Sequence, residues 1–221
     1  MNFDWNVAWH SVPALLDGLL TALLSIAIGY PLAIALGLLL VFPQRSARPW
    51  IRIPVRVVVE FIRSTPLLVQ LFFLFYVLPA FGVELSAFAT GAIGLGLHYA
   101  TYTSEVFRAG IESVPTGQWD AATALNLSTT RTWWSVVLPQ AIPKVLPPLG
   151  NYAIAMFKDT PQLTAITVLE VLSAARAEGA QTFRYLEAIT MAGLLYLLVS
   201  LVLAWLARRV EQRYATTRGI A

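Results

Sequence analysis

Cysteine is absent from the 221 residues, which excludes disulfides, thiolate metal sites and a cysteine nucleophile, and leaves redox chemistry silent about the compartment. Charge is scarce too. Asp, Glu, Lys and Arg make up 12% of the chain, against about 25% in a soluble domain. With 57% hydrophobic residues and a mean hydropathy of +0.68, this is the composition of a membrane protein. Histidine occurs only at His10 and His98. An intramembrane hydrolase needs a nucleophile within reach of a base, but His98 and Ser104 point from different helix faces and no G-x-S-x-G is present. No G-x-x-x-x-G-K-[ST] loop or Gly-Lys pair occurs, so the chain has no evident means of holding ATP phosphates. No metal site is expected. The opening MNFDWNVAWHSV lacks a basic stretch and carries Asp4, which argues against a cleavable signal peptide.

Apolar runs are abundant. About twenty apolar residues cross a bilayer as a helix, and five stretches qualify: 12–41, interrupted by Asp17; 55–81, carrying Arg56, Glu60, Arg63 and Gln70; 88–108; a proline-rich 132–157; and 188–207, which has no charge. The expected fold is an all-α integral membrane protein of five transmembrane helices. Residues 162–172 are too short to cross alone and read as a re-entrant or packed half-helix. The first connection, PQRSARPWIRIPVR, holds Arg45, Arg48, Arg52 and Arg56 without an acid, and the C-terminal tail sets Arg208, Arg209, Arg213 and Arg218 against Glu211. The N-terminus offers Asp4 and Asp17, and the second connection Glu84. The positive-inside rule then places the first loop and the C-terminus in the cytoplasm and the N-terminus outside, as an odd number of spans requires. The expected division is an extracytoplasmic segment over 1–18, a transmembrane domain over 19–208 and a basic cytoplasmic tail over 209–221. The net charge of +3 thus reflects orientation, and no nucleic-acid partner is expected. Trp5, Trp9, Trp50, Trp133, Trp134 and Trp205 lie near span ends, as an interfacial belt would place them.

On this topology the connection over about 109–131 is cytoplasmic, and it contains GQWDAATALNLS. Pro115-Thr116-Gly117 is a turn signal, with Thr116 the expected cap and Asp120 expected in the first turn, where a carboxylate complements the helix dipole. Ala121, Ala122 and Ala124 favour helix with little bulk, Asn126 tolerates the left-handed conformation that ends one, and Ser128 can cap the next. The result is a helix of about two turns over 117–127, set between two spans. One reading is a plain surface connector. The other is insertion into a groove on a cytoplasmic partner, because small Ala side chains permit close approach and Trp119 and Leu125 add apolar contacts.

GQWDAATALNLSTTRTWWSVVLPQAIP resembles the cytoplasmic loop of ABC importer permeases, whose pattern is E-A-A, a glycine four residues on, and a later L-P. Those positions are Asp120-Ala121-Ala122, Asn126 and Leu138-Pro139, so Asp replaces Glu and Asn replaces Gly. EFIRSTPLLVQLFFLFYVLP, HYATYTSEVFRAGIESVPTGQ and VLPPLGNYAIAMFKDTPQL are similar to spans of the polar amino acid (histidine and glutamine) permease subfamily, and the likeness covers about 19–208. KDTPQLTAITVLEVL and TFRYLEAIT look closest to the ectoine and hydroxyectoine branch. The resemblance implies a type I importer permease fold. It implies a coupling helix that docks into an ATPase cleft through Gln118, Trp119, Asp120, Ala121, Ala122, Leu125 and Asn126. The implied partners are a second permease, identical or related, two ATPases that bind ATP and Mg, and an extracytoplasmic solute-binding protein. The implied membrane is the bacterial cytoplasmic (inner) membrane, and this chain carries transport rather than catalysis. An energy-independent channel or scaffold subunit is the rival reading, and such a protein has no need of a docking helix.

Charges inside a bilayer are costly unless paired or hydrated. Glu60 with Arg63, and Glu105 with Arg108, read as structural ion pairs. Gln70, His98, Thr101 and Tyr102, nearer mid-membrane, read as bordering a translocation path. In FKDTPQ, Lys158 and Asp159 either pair with each other or, with Tyr152, hold a zwitterionic solute at a broken helix. The repeated prolines Pro139, Pro143, Pro147 and Pro148 read either as packing irregularity or as a bent helix that transmits movement.

Overall fold

Residues 3–216 are described by a computed structural model; Arg218, counted above in the basic tail, lies outside them. Among the described residues there is no strand. The helices are α1 (Trp5–Gln44), α2 (Pro49–Ser64), α3 (Leu67–Phe72), α4 (Ala87–Glu112), α5 (Thr116–Ala124), α6 (Thr129–Thr132), α7 (Leu138–Asp159), α8 (Val171–Thr182) and α9 (Tyr185–Thr216).

The first span is longer than the hydrophobic run suggested. Asp4 caps α1 by accepting from the Asn6 N–H at 2.9 Å, so the helix starts seven residues before Val12 and runs 40 residues, about 60 Å at 1.5 Å per residue. Small residues let α4 lie against it. A Cβ on Gly29 would stand 2.9 Å from the Ala92 carbonyl oxygen, and one on Gly37 would meet Thr103. The Thr103 hydroxyl donates across the same seam to the Ala33 carbonyl at 2.8 Å. Where the hydrophobic effect gives no driving force between helices, as in lipid, such close backbone approach supplies the packing energy. Numbers rise together along the seam, so α1 and α4 run the same way.

α7 returns antiparallel to α4, since Gly110 meets Val145, Tyr102 meets Tyr152 and Tyr99 meets Asp159. α9 is antiparallel to α7, because Gly150 meets Ala207 while Thr160 meets Tyr196. α1, α4 and α9 therefore share one direction, and α3 and α7 take the other. In consequence α5, the Arg45–Arg56 segment and the C-terminal end of α9 gather at one end of the bundle. Arg45 stacks over Trp133 there, 5.8 Å from its centroid.

By length and hydropathy, α1 and residues Tyr185–Tyr214 of α9 are fit to cross a membrane. α4 and α7 are long enough, but their polar and charged residues lower their hydropathy.

The expected second span over 55–81 is not continuous. α2 stops at Ser64, and the chain turns through 102° into the segment Leu67–Phe81. Pro66 is the cause: the residue before a proline is pushed out of the helical region, and Thr65 is extended at φ −96°, ψ 139°. Only Val59 of α2 is buried, so the apolar stretch that reads as half a span is an exposed amphipathic helix.

Two five-residue π-helical turns, Phe73–Val77 and Trp133–Val137, each end at a Leu-Pro. In each, the leucine N–H reaches back five residues, Leu78 to the Phe73 carbonyl and Leu138 to the Trp133 carbonyl. A proline ring collides with the carbonyl four residues before it, and widening the helix there relieves the collision. α7 then continues through Pro143, Pro147 and Pro148 as one helix to Asp159. Residues 162–172 comprise the end of a 3₁₀ turn (Thr160–Ile166), a non-helical connection over 167–170 and the start of α8, which packs on α1 and α9 through Leu15, Val171, Ala175 and Ala188.

Candidate functional site

The short helix α5 is where the polar run foretold one, with different details at its start. Pro115 stands at the N-cap with no side-chain hydrogen bond, and Thr116 is the first helical residue rather than the cap. Asp120 falls just past the first turn, one residue further in than expected, since no acid lies in the first turn. The C-terminus is a complete Schellman motif: Leu127 N–H bonds the Ala122 carbonyl at 3.0 Å and Asn126 N–H the Thr123 carbonyl at 2.9 Å. Asn126 supplies the left-handed residue at φ 51°, so asparagine fills the role that glycine has in the family pattern. Ser128 caps α6 by accepting from the Arg131 N–H.

α5 has two faces. Ala122 turns inward and is 3% exposed. Trp119 packs edge-to-face on Trp133 at 5.5 Å, beside the small core of Val114, Val137 and Ala141. The Gln118 side-chain oxygen accepts from Gln140 at 3.3 Å. Asp120, Ala121 and Asn126 are exposed, and Leu125 is 72% exposed. An apolar side chain that open on a polar loop is unusual, and it lies on the face that packs on nothing in this chain.

Nearer the middle of the bundle a cluster of rings forms between α4 and α7. Tyr102 and Tyr152 are 5.4 Å apart, Tyr99 and Tyr152 6.1 Å, and His98 and Tyr102 5.1 Å. The Tyr99 hydroxyl donates to Asp159 at 2.7 Å, and Gln162 donates to its other carboxylate oxygen at 3.1 Å. Tyr102 and Tyr152 form one wall of a cavity of about 470 Å³, which Glu105, Arg108, Ser113 and Lys144 line toward the α5 end.

Gln70 serves the broken backbone. Its amide N–H groups donate to the carbonyls of Ile62 (2.6 Å) and Thr65 (3.1 Å), and its oxygen faces His98 Nδ1 at 3.2 Å. The Tyr102 hydroxyl donates to the Arg63 carbonyl at 3.2 Å. The carbonyls that the bend frees are thus met by side chains, as a low-dielectric setting demands.

The candidate path residues therefore separate. Tyr102, Tyr152 and Asp159 come together, and Gln70 and His98 adjoin them. Thr101 is buried with its hydroxyl on the His98 carbonyl of its own helix. Lys158 is exposed on a different face of α7, beside Asn151, Leu197 and Ser200, and forms no ion pair with Asp159. The acids and arginines form a chain: Glu60–Arg63 at 2.9 Å, Arg63–Glu105 at 3.9 Å, Glu105–Arg108 at 2.6 Å and Arg108–Glu112 at 2.6 Å. It ties α2 to α4 below the ring cluster.

Two features escaped the sequence reading. Tyr99 is one; its place between the path candidates His98 and Thr101 was the available signal. The other is Glu170, fully buried and bonded by five donors: the N–H groups of Leu172 and Ser173 and the hydroxyls of Thr164, Ser173 and Tyr196.

Residues 10–216 match the family described as binding-protein-dependent transport system inner membrane component. The chain is 46% identical to the "Probable amino-acid ABC transporter permease protein y4tG" of Sinorhizobium fredii, over 95% of this chain and 91% of that one. It is 34% identical to the glutamine transport system permease protein GlnP of Escherichia coli, over 96% and 98%. Among solved structures, an amino acid ABC transporter crystallised with histidines superposes with a TM-score of 0.90 at 30% identity, covering 96% of this chain and all of that one. The MetNI methionine transporter, at 17% identity and a TM-score of 0.68, shares the fold.

Proposed function

The chain belongs to the family of binding-protein-dependent transport system inner membrane components, and from that premise we propose that it moves a polar amino acid, or a solute of amino-acid type, through the cytoplasmic membrane as the permease of an ATP-driven importer. It is a transport subunit, and its sequence relatives are ABC permeases. ATP and Mg belong to a separate ATPase.

The observation that carries the reading is α5: a capped helix between two antiparallel members of the bundle, holding Asp120, Ala121, Leu125 and Asn126 outward. These four form the docking face, with Gln118 at its edge. Trp119 and Ala122 brace the helix from behind. Two ATPases, a second permease and an extracytoplasmic binding protein complete the assembly, because five spans are few for an alternating-access pathway and the chain carries no phosphate-binding loop of its own. The arginine-rich end that carries α5 faces the cytoplasm under the positive-inside rule, and the N-terminus lies outside. Residues 19–208 form the transmembrane domain, crossed by α1, α3 with its π and 3₁₀ continuation, α4, α7 and α9.

The solute path runs past Tyr99, Tyr102, Tyr152 and Asp159. Tyrosine faces and a carboxylate suit the ammonium of a zwitterion. Ectoine and hydroxyectoine meet the same requirement, since each pairs a delocalised cation with a carboxylate. Asp159→Asn is expected to cut uptake of the preferred solute by about ten- to a hundredfold, the loss of a charge-assisted contact of about 1.5–3 kcal/mol, while ATPase recovery stays at the parent level. Uptake of labelled histidine, glutamine, arginine and ectoine by vesicles containing the whole assembly measures this. Unchanged uptake of all four in Asp159→Asn would remove Asp159 from the path.

A further inference from the structure

α2 does not behave as part of a span. The segment Leu67–Phe81 runs antiparallel to α4, because Gln70 meets His98 while Leu71 and Leu74 meet Gly94. α4 lies along α1, one of the two helices long and apolar enough to cross a membrane. A 102° turn between α2 and Leu67–Phe81 therefore sets α2 across the bundle axis, in the plane of the membrane. Its C-terminal end sits level with Tyr102 and Glu105, about two to three turns from the end of α4.

The side chains sort accordingly. Arg52, Arg56, Glu60 and Arg63 recur every three or four residues on one side. On the other side Trp50, Val57 and Phe61 are 70%, 61% and 68% exposed. In the inner corner of the turn, Phe61, Ile62, Val69, Phe73, Leu74 and Leu97 line an almost wholly apolar cleft of about 440 Å³. Among the described residues, Arg48, Arg52 and Arg56 form no ion pair; Arg48 leans on Trp50 at 5.9 Å and Arg52 reaches only the Ser46 carbonyl, at 3.5 Å. An amphipathic helix with arginines on one face and Trp and Phe on the other is the form that lies in a headgroup layer.

We infer that α2 is an interfacial helix that holds anionic phospholipid of the inner leaflet, with acyl chains in the α2–α3 corner and headgroup phosphates on Arg48, Arg52 and Arg56. This rests on α1 and α4 crossing the bilayer, and it does not depend on which solute is carried. Each arginine near an anionic surface favours it by about fivefold. The corner gives that attraction a fixed place, next to the Arg63–Glu105 contact that ties α2 to α4.

The test uses the full chain with its co-purified partners in vesicles. Trp50 emission, isolated by difference from Trp50→Phe, is quenched with chain-brominated phosphatidylglycerol or chain-brominated phosphatidylcholine. Expected is several-fold stronger quenching by the glycerol lipid at low salt, declining as salt rises. Arg48→Gln/Arg52→Gln/Arg56→Gln should bring the ratio to about one while quenching itself persists, and the triple Lys variant should restore most of the ratio. Equal quenching by the two lipids in the parent would overturn the inference. So would a Trp50 that neither lipid quenches, since a protein partner then covers the face. A Gln variant that keeps its selectivity, or a Lys variant that fails to regain it, would overturn the role of the arginine charges. Transport activity enters none of these readings, so a failure here is separable from a failure of the importer assignment.

Discussion

Replacing Glu170 with Ala is expected to cost the protein most of its stability. The side chain is fully buried, and its carboxylate caps α8 through the N–H groups of Leu172 (2.9 Å) and Ser173 (2.8 Å). It also accepts from Thr164 at 2.7 Å and from Tyr196, whose hydroxyl touches Thr160. One group thus joins α8, α9 and the 3₁₀ turn that follows Asp159. Truncation strands several donors where water cannot replace the acceptor, at about 1–3 kcal/mol each, and a lost cap adds about 1 kcal/mol. Against a total stability of about 5–15 kcal/mol, that is a large fraction. The backbone allows no easy relaxation, because α1 presses on the same place: a Cβ on Gly18 would stand 2.7 Å from the Glu170 carbonyl carbon. A thermal melt in detergent should show a markedly lower midpoint for Glu170→Ala and only partial recovery for Glu170→Gln, whose amide presents N–H groups to donors. A midpoint equal to the parent's would mean that the network holds nothing together.

The second large effect is expected on association. Leu125→Asp places a charge at the most open apolar point of α5 without touching this chain's own packing. A central apolar anchor of an interface is worth about 2 kcal/mol or more, so ATPase recovery should fall by at least about tenfold with the melting midpoint of the permease unchanged. Ala122→Trp is a poorer probe of the same idea. Ala122 is buried, and a bulky ring there strains the packing of the helix on its support, so lost ATPase would accompany lost stability. Full ATPase recovery with Leu125→Asp would make α5 a connector.

Much of this arrangement could be read from residue order, and the failures share a cause. Periodicity, capping residues and charge bias act locally, and they placed α5, the left-handed Asn126 and the basic end of the bundle. The second span failed because a hydropathy window averages over Thr65-Pro66. The proline was visible, but its consequence depends on Gln70 of α3 and Tyr102 of α4 supplying contacts to the freed carbonyls. Ala122 and Leu125 both read as part of one contact surface, since a nine-residue helix of small residues carries no hydrophobic stripe to say which side faces home. Trp133, far along the chain, decides it. Lys158 and Asp159 are neighbours in sequence and sit on different faces of α7, the expected result of a roughly 100° step that a dipeptide hides. Glu170 carried no signal beyond being an acid in an apolar stretch, because its donors come from three separate elements.

The central claim is that this permease moves its solute only when a partner ATPase does work on α5. The most direct measurement is solute accumulation in vesicles that contain the assembly, with binding protein and labelled amino acid supplied on the side that faces the N-terminus of α1, with and without ATP on the other. Accumulation above the outside concentration with ATP, and none without it, is the predicted result. Equilibration of the solute in the absence of ATP would contradict the account and mark the bundle as a channel.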